Sequence, residues 1–158
     1  MTIRIERVLP GQTERIACIQ DYIVDYWRIS PERAEQEYLN VSPGEDLPKA
    51  WVALAPDGTI VGHVILVVDP AGFSNVLDEP WLQALFVNEE WRKLKIGRDL
   101  VATVEDDCRR CGYEYVYLDT IDAEKYYVPL GWETIDTDFW KERNATVTIM
   151  RKELSAPE

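Results

Sequence analysis

Apolar residues follow two rhythms along this chain. Over Thr2–Val8, Ile3 and Ile5 alternate with charged neighbours, and a period of two predicts a half-buried first strand. Pro10-Gly11 breaks it. Ile16, Ile19, Ile23 and Trp27 then recur at helical spacing, predicting an amphipathic helix over about Gln12–Ile29. Ser30-Pro31 marks a fresh start, with serine as N-cap and proline in first position, for a second helix over Pro31–Asn40. Two β-rich runs, Ala50–Ala55 and Ile60–Val68, flank Pro56-Asp57-Gly58-Thr59 and predict a hairpin. A loop from Asp69 to Pro80 leads to a short buried strand, Trp81–Val87. Leu100, Val101, Val104 and Cys108 share one face of a helix over Ile96–Cys111, with Gly112 as its stop. Next come a strand over Tyr113–Thr120, a short helix near Asp122–Val128, and strands at Trp132–Thr137 and Ala145–Glu153. The order β-αα-β-β-β-α-β-α-β-β predicts an α/β domain with a mixed sheet.

Composition narrows the picture. The 158 residues suit a single domain spanning 1–158, and 46% hydrophobic content supplies a core. No signal-peptide core opens the chain and no apolar run is long enough for a membrane helix, so a soluble, cytoplasmic protein is expected. A net charge of −12 argues against a nucleic-acid partner and is compatible with a cationic substrate such as an amine. Cys108 and Cys111 have C-x-x-C spacing, but within a helical pattern. With one histidine and no second cysteine pair, no metal site is expected and the thiols are read as inert.

Against that acidity, Arg92, Lys93, Lys95 and Arg98 cluster where a strand turns into a helix. The first turn of a helix carries unpaired N–H groups and a partial positive charge. Basic side chains are unfavourable there unless an anion joins them, so the cluster is a candidate phosphate site. Gly97 removes a side chain where backbone must approach a ligand.

"LFVNEEWRKLKIGRDLV" resembles motif A of the GCN5-related N-acetyltransferases, the GNAT family, in which a strand leads into Q/R-x-x-G-x-G/A and a helix. Arg92 matches the first position and Gly97 the last, whereas Lys95 stands where the family usually has its first glycine. "AEKYYVPLGWE" is similar to motif B, commonly A-x-x-F-Y-x-x-x-G-F, with Ala123, Tyr126, Tyr127, Gly131 and Trp132 on those positions. "GTIVGHVIL" and "VTIMRKEL" resemble the usual third and last strands. The resemblance covers nearly the whole chain. It implies the acyl-CoA N-acyltransferase fold, a mixed, mostly antiparallel sheet of about seven strands flanked by about four helices. It also implies acetyl-CoA as co-substrate. Leu85, Phe86 and Val87 would pair with the pantetheine arm. The turn from Arg92 through Lys93, Leu94, Lys95, Ile96, Gly97 and Arg98 would hold the pyrophosphate, and Thr120 would add a contact to the cofactor. A lysine can adopt helical backbone angles, so the turn is expected to tolerate Lys95.

Tyr127 falls on the family's general-acid position. A phenol with a reference pKa near 10 stays protonated at neutral pH and can donate to a leaving thiolate. Tyr126 is expected in the core. Glu79 is the leading candidate for the base, with Asp78, Asp119 and Asp122 as alternatives. His63, alone on its strand, is read as structural. Glu32, Glu35, Glu37, Glu45 and Asp46 are expected near the acceptor entrance, because the family's first helices shape that side. The resemblance thus implies direct acetyl transfer to a primary amine, small molecule or peptide, in a ternary complex. Family members often dimerise, which makes a homodimer an expectation. A non-catalytic CoA-binding module on the same fold stays open as the alternative.

Overall fold

The structure is a computed structural model in which residues 2–68 and 79–154 are described. Asp78 and most of the expected 69–80 loop lie outside the described residues. The sheet has seven strands in the order β1-β2-β3-β4-β5-β7-β6. These are β1 (Arg4–Arg7), β2 (Lys49–Leu54), β3 (Ile60–Val68), β4 (Pro80–Val87), β5 (Tyr115–Thr120), β6 (Glu133–Trp140) and β7 (Ala145–Glu153). Neighbours are antiparallel, except that β4 and β5 run parallel. The helices are α1 (Thr13–Trp27), α2 (Pro31–Glu37), α3 (Ile96–Arg110) and α4 (Glu124–Tyr127). Short 3-10 turns at Glu89–Trp91, Val128–Leu130 and Lys141–Arg143 were not expected from the sequence pattern.

Period two divides each central strand between two cores. On one face Trp51, Leu66, Leu82, Leu118 and Met150 pack with Leu100, Val101 and Val104 of α3. On the other, Val52, Ile65, Trp81, Tyr117 and Ile149 pack with Ile19, Ile23 and Trp27 of α1. Burying each such side chain stabilises the fold by about 1.5–3 kcal/mol, so both helices are held by their apolar stripes. Local signals set the ends. The Ser30 hydroxyl accepts from the Arg33 N–H at 3.1 Å, capping α2. In the β2–β3 turn, the Asp57 carboxylate accepts from the Thr59 N–H at 3.0 Å. Gly58 takes φ +88°, a region a Cβ disfavours. Lys49, fully buried, meets Asp107 of α3 at 2.8 Å and ties that helix to the sheet.

Cys108 is buried and its thiol is pushed up to about 12, chiefly by desolvation. Cys111 is also raised by burial, with Glu45 adding to the effect. Both are thiols rather than thiolates at neutral pH. No helix among the described residues is long and apolar enough to cross a membrane.

Candidate active site

The site begins with a divergence. β4 and β5 share a single registered pair, Trp81 with Tyr117. From there β4 stays with β3 as far as Val87 opposite Gly62, while β5 stays with β7 as far as Thr120 opposite Thr148. The strands part, and a cavity of about 200 Å³ opens between Leu82–Leu85 and Leu118–Ala123. The divergence coincides with an irregularity in β4: Ala84 has φ 54°, and the register with β3 shifts there.

Tyr127 reaches this cavity from the end of α4. It is only 7% exposed, and it packs edge-on against Trp132 at 5.9 Å and Tyr126 at 5.1 Å. Burial, helped by Tyr126, Tyr22 and Asp119, raises its pKa above the ordinary tyrosine value. At neutral pH it is therefore a proton donor and not a base. Beside it, the Gln83 amide donates to the Asp119 carboxylate, joining the diverging strands across the cavity. Tyr22, Tyr26, Trp27 and Trp140 form an aromatic wall. Tyr22 and Tyr26, one turn apart on α1, stack at 5.5 Å. Trp140 meets Trp27 edge-on at 5.9 Å. The Arg143 guanidinium lies 4.1 Å from the Tyr26 ring centroid. Burial, then the neighbouring Tyr26, pushes Tyr22 up to about 12.

The basic turn lies at the end of β4. Arg92 folds back, donating from Nε to the Val87 carbonyl at 2.9 Å and lying 5.7 Å from the Phe86 ring. It steadies the strand end, while Lys93, Lys95 and Arg98 stay exposed. Lys95, at the N-cap of α3, makes no side-chain cap, which among the described residues leaves the first N–H groups of the helix to an anion. Ile96 is buried beneath the turn and Leu94 is exposed. A Cβ on Gly97 would sit 2.8 Å from the Tyr126 hydroxyl. The glycine therefore makes room for that tyrosine, which is 44% exposed instead of lying in the core as expected. Leu85, Phe86 and Val87 are half-buried at the end of β4, and of the three Leu85 lines the cavity. Thr120 lines the cavity, and its hydroxyl accepts from the Ala123 N–H at 3.0 Å.

Three further expectations need correction. Lys95 does not take helical angles: at φ 63°, ψ 19° it is left-handed, as is Lys93 at φ 70°. The chain must turn from the extended Arg92 into α3, and these residues make the turn where glycine would be unstrained. Glu79 is not at the cavity. It precedes β4 on the closed side of the divergence, near Glu114, and desolvation with that like charge raises its pKa. The acidic residues expected at the acceptor entrance, Glu32, Glu35, Glu37, Glu45 and Asp46, do not line the cavity either. Glu37 pairs with Arg33 at 2.5 Å, and Glu45 pairs with Arg110. Glu32 and Glu35 line a separate hollow with Leu39 and Asn40. The entrance wall is instead aromatic. Tyr22 and Tyr26 could have been found as a flank beside the Ile19–Ile23–Trp27 stripe. Gln83 carried no signal, because its partner Asp119 is far away in sequence.

The chain matches the model of the Acetyltransferase (GNAT) family over residues 16–132 and belongs to that family. An uncharacterized N-acetyltransferase of Dictyostelium discoideum is 31% identical over 77 residues, 46% of this chain and 36% of the relative. The chain thus aligns with about a third of that relative's length. Among solved structures, a NatC complex bound to Gag peptide and CoA superposes with TM-score 0.77 at 19% identity, covering 98% of this chain and 100% of that one. Arabidopsis thaliana NAA60 in complex with a bisubstrate analogue gives 0.72 at 19%, over 99% and 100%. An acetyltransferase of Staphylococcus aureus Mu50 gives 0.67 at 22%, over 98% and 100%. At these identities the likeness is one of fold.

Proposed function

We propose that the protein transfers an acetyl group from acetyl-CoA to a primary amine by direct attack in a ternary complex. The observation that carries this reading is the buried, protonated Tyr127 in the β4/β5 cavity, beside the Gln83–Asp119 pair. The residues present suit the co-substrate. The uncapped start of α3 with Lys93, Lys95 and Arg98 would hold its pyrophosphate, and Leu85, Phe86, Val87 and Thr120 would line its arm. When bound, acetyl-CoA supplies a thioester acetyl group and departs as the thiol.

The chain's own groups handle the charge. The amine arrives as an ammonium, which the Asp119 carboxylate attracts and the aromatic wall of Tyr22, Tyr26, Trp27 and Trp140 accommodates by cation–π contact. Asp119 takes its proton, directly or through water, and frees the lone pair for attack. As the new C–N bond forms and the C–S bond breaks, Tyr127 gives a proton to the departing sulfur, and the second proton released by the acylated nitrogen passes, directly or through water, to restore the Tyr127 hydroxyl and leave a neutral amide. Asp119 replaces Glu79 as the base in this scheme, because it faces the cavity and Glu79 does not. Among the described residues no cysteine lines the cavity, which favours direct transfer over a covalent acetyl-enzyme.

A CoA-binding module without turnover is the rival reading, and the strained turn at Lys93 and Lys95 is what favours it. An amine panel with acetyl-CoA, read by thiol release, separates the two. Turnover that falls in Tyr127→Phe supports the enzyme. Calorimetric binding of acetyl-CoA with no turnover on any amine supports the module.

A further inference from the structure

β4 carries one residue too many for its neighbour. His63 registers with Phe86 and Ile65 with Gln83, so Val64 alone faces both Ala84 and Leu85. That is a β-bulge. Its residue in the left-handed region is Ala84, at φ 54°, a conformation that a side chain with a Cβ avoids. Something must hold it there.

His63 is in place to do so. It is 2% exposed, and its Nδ1 lies 2.9 Å from the Ala84 carbonyl oxygen. A carbonyl only accepts, so Nδ1 carries the ring proton. Tyr22 packs edge-on against the ring at 5.0 Å, and Phe86 tilts over it at 5.6 Å. The ring's position is thereby fixed from α1 and from β4 itself. Burial lowers the His63 pKa to about 4, so the neutral, Nδ1-protonated ring persists through the neutral range.

The bulge stands where function would need it. Before it, Trp81 still pairs with Tyr117. After it come Leu85–Val87 and the open cavity. Losing the extra residue would slip the pairing by one and turn each of those side chains and backbone groups to the opposite face. We propose that His63 is a positioning residue: its Nδ1–H pins the Ala84 bulge and so sets the register and aim of the Leu85–Val87 half of β4. The kinetic part of this inference rests on the acetyl-transfer reading, whereas the conformational part does not.

Two substitutions and one combination test it. Asn places an amide nitrogen as many bonds from Cα as Nδ1, so His63→Asn keeps a donor. His63→Leu keeps bulk and removes the donor. His63→Leu with Ala84→Gly lets the bulge take its φ without a pin. Carbon-13 shifts of residue 84 and amide shifts of Leu85–Val87 report the backbone, and kcat with the amine KM reports the reaction. In His63→Leu, the Ala84 shifts should leave their left-handed values and kcat should fall at least about ten-fold, with amine KM moving less. His63→Asn should keep the shifts and most of kcat, and the double variant should regain part of it. Unchanged Ala84 shifts in folded His63→Leu would overturn the inference. So would equal losses in His63→Asn and His63→Leu, which would make ring packing the cause. Should His63→Leu not fold, the Ala84 shifts of His63→Asn decide alone, retention supporting the pin and loss overturning it. If the unsubstituted protein acetylates no amine, the acetyl-transfer reading fails and the shifts still decide the pin.

Discussion

Of the two walls proposed for the site, the one toward α3 is nearly continuous chain, running from Leu85 at the cavity into the basic turn that ends at Arg98. On the α1 side, the wall comes from Tyr22, Tyr26 and Trp27 of one helix, Gln83 of β4, Asp119 of β5 and Trp140 of β6. The first wall is basic, exposed and made largely of backbone. The second is aromatic, half-buried and made of side chains. A backbone cradle can be written in one stretch of sequence, because its chemistry is helix geometry plus charge. A side-chain wall exists only after the sheet has assembled. The two should therefore fail separately when substituted, except at Tyr127, where they meet.

Tyr127→Phe gives the largest effect. Loss of the hydroxyl should lower kcat about a hundred-fold while calorimetric acetyl-CoA affinity stays nearly constant. A matching loss of affinity would make the residue a binding group and blur the boundary between the walls.

Comparable in size is the effect at the strand that joins them. The His63 pKa is lowered to about 4, chiefly by burial, from 6.5. Between these values the unfolded chain binds a proton that the folded chain does not. The stability this contributes is fully present above about pH 6.5 and is lost as pH falls through about pH 4. It amounts to about 3 kcal/mol across the window. Urea midpoints from pH 7 to 4.5 should fall more steeply for the unsubstituted protein than for His63→Asn, which cannot titrate. Parallel slopes would mean that His63 protonates as readily when folded as when unfolded.

Removing one ring from the acceptor wall should be smaller. Trp140→Ala should raise the amine KM about five- to twenty-fold, through lost cation–π and apolar contact, and leave the acetyl-CoA KM unchanged. If the acetyl-CoA KM moved instead, the two walls would not be the separate units described above.

Smallest is Lys95→Gly. Relief of the left-handed backbone should raise stability by about 1 kcal/mol in urea unfolding. Acetyl-CoA affinity should hold within about three-fold, because glycine keeps the same backbone path and only one exposed charge is lost. A loss of more than ten-fold would show that the lysine side chain is itself part of the cradle. Tighter binding by a similar factor would favour the module reading.

The same contrast explains what the sequence revealed. The α1 stripe, the β2–β3 hairpin, the Ser30 cap and the basic turn all depend on residues close together in the chain, and each was legible there. The Ala84 bulge was not, because alanine gives no sign of positive φ and the shift depends on pairing with β3. The left-handed Lys95 was hidden for a similar reason: the direction of entry into α3 sets its angles, not its own preference. Glu79 was misread because nearness in sequence to β4 says nothing about which end of a parallel pair opens. The Gln83–Asp119 tie requires β4 and β5 to be neighbours, a relation that no local pattern records.

Direct transfer within a ternary complex is the central claim, and two-substrate initial-rate kinetics tests it most directly. With acetyl-CoA and an accepted amine both varied, double-reciprocal lines should intersect, because both ligands occupy the cavity before any bond changes. Parallel lines, together with acetylated protein isolated in the absence of amine, would contradict it and point to a covalent acetyl-enzyme.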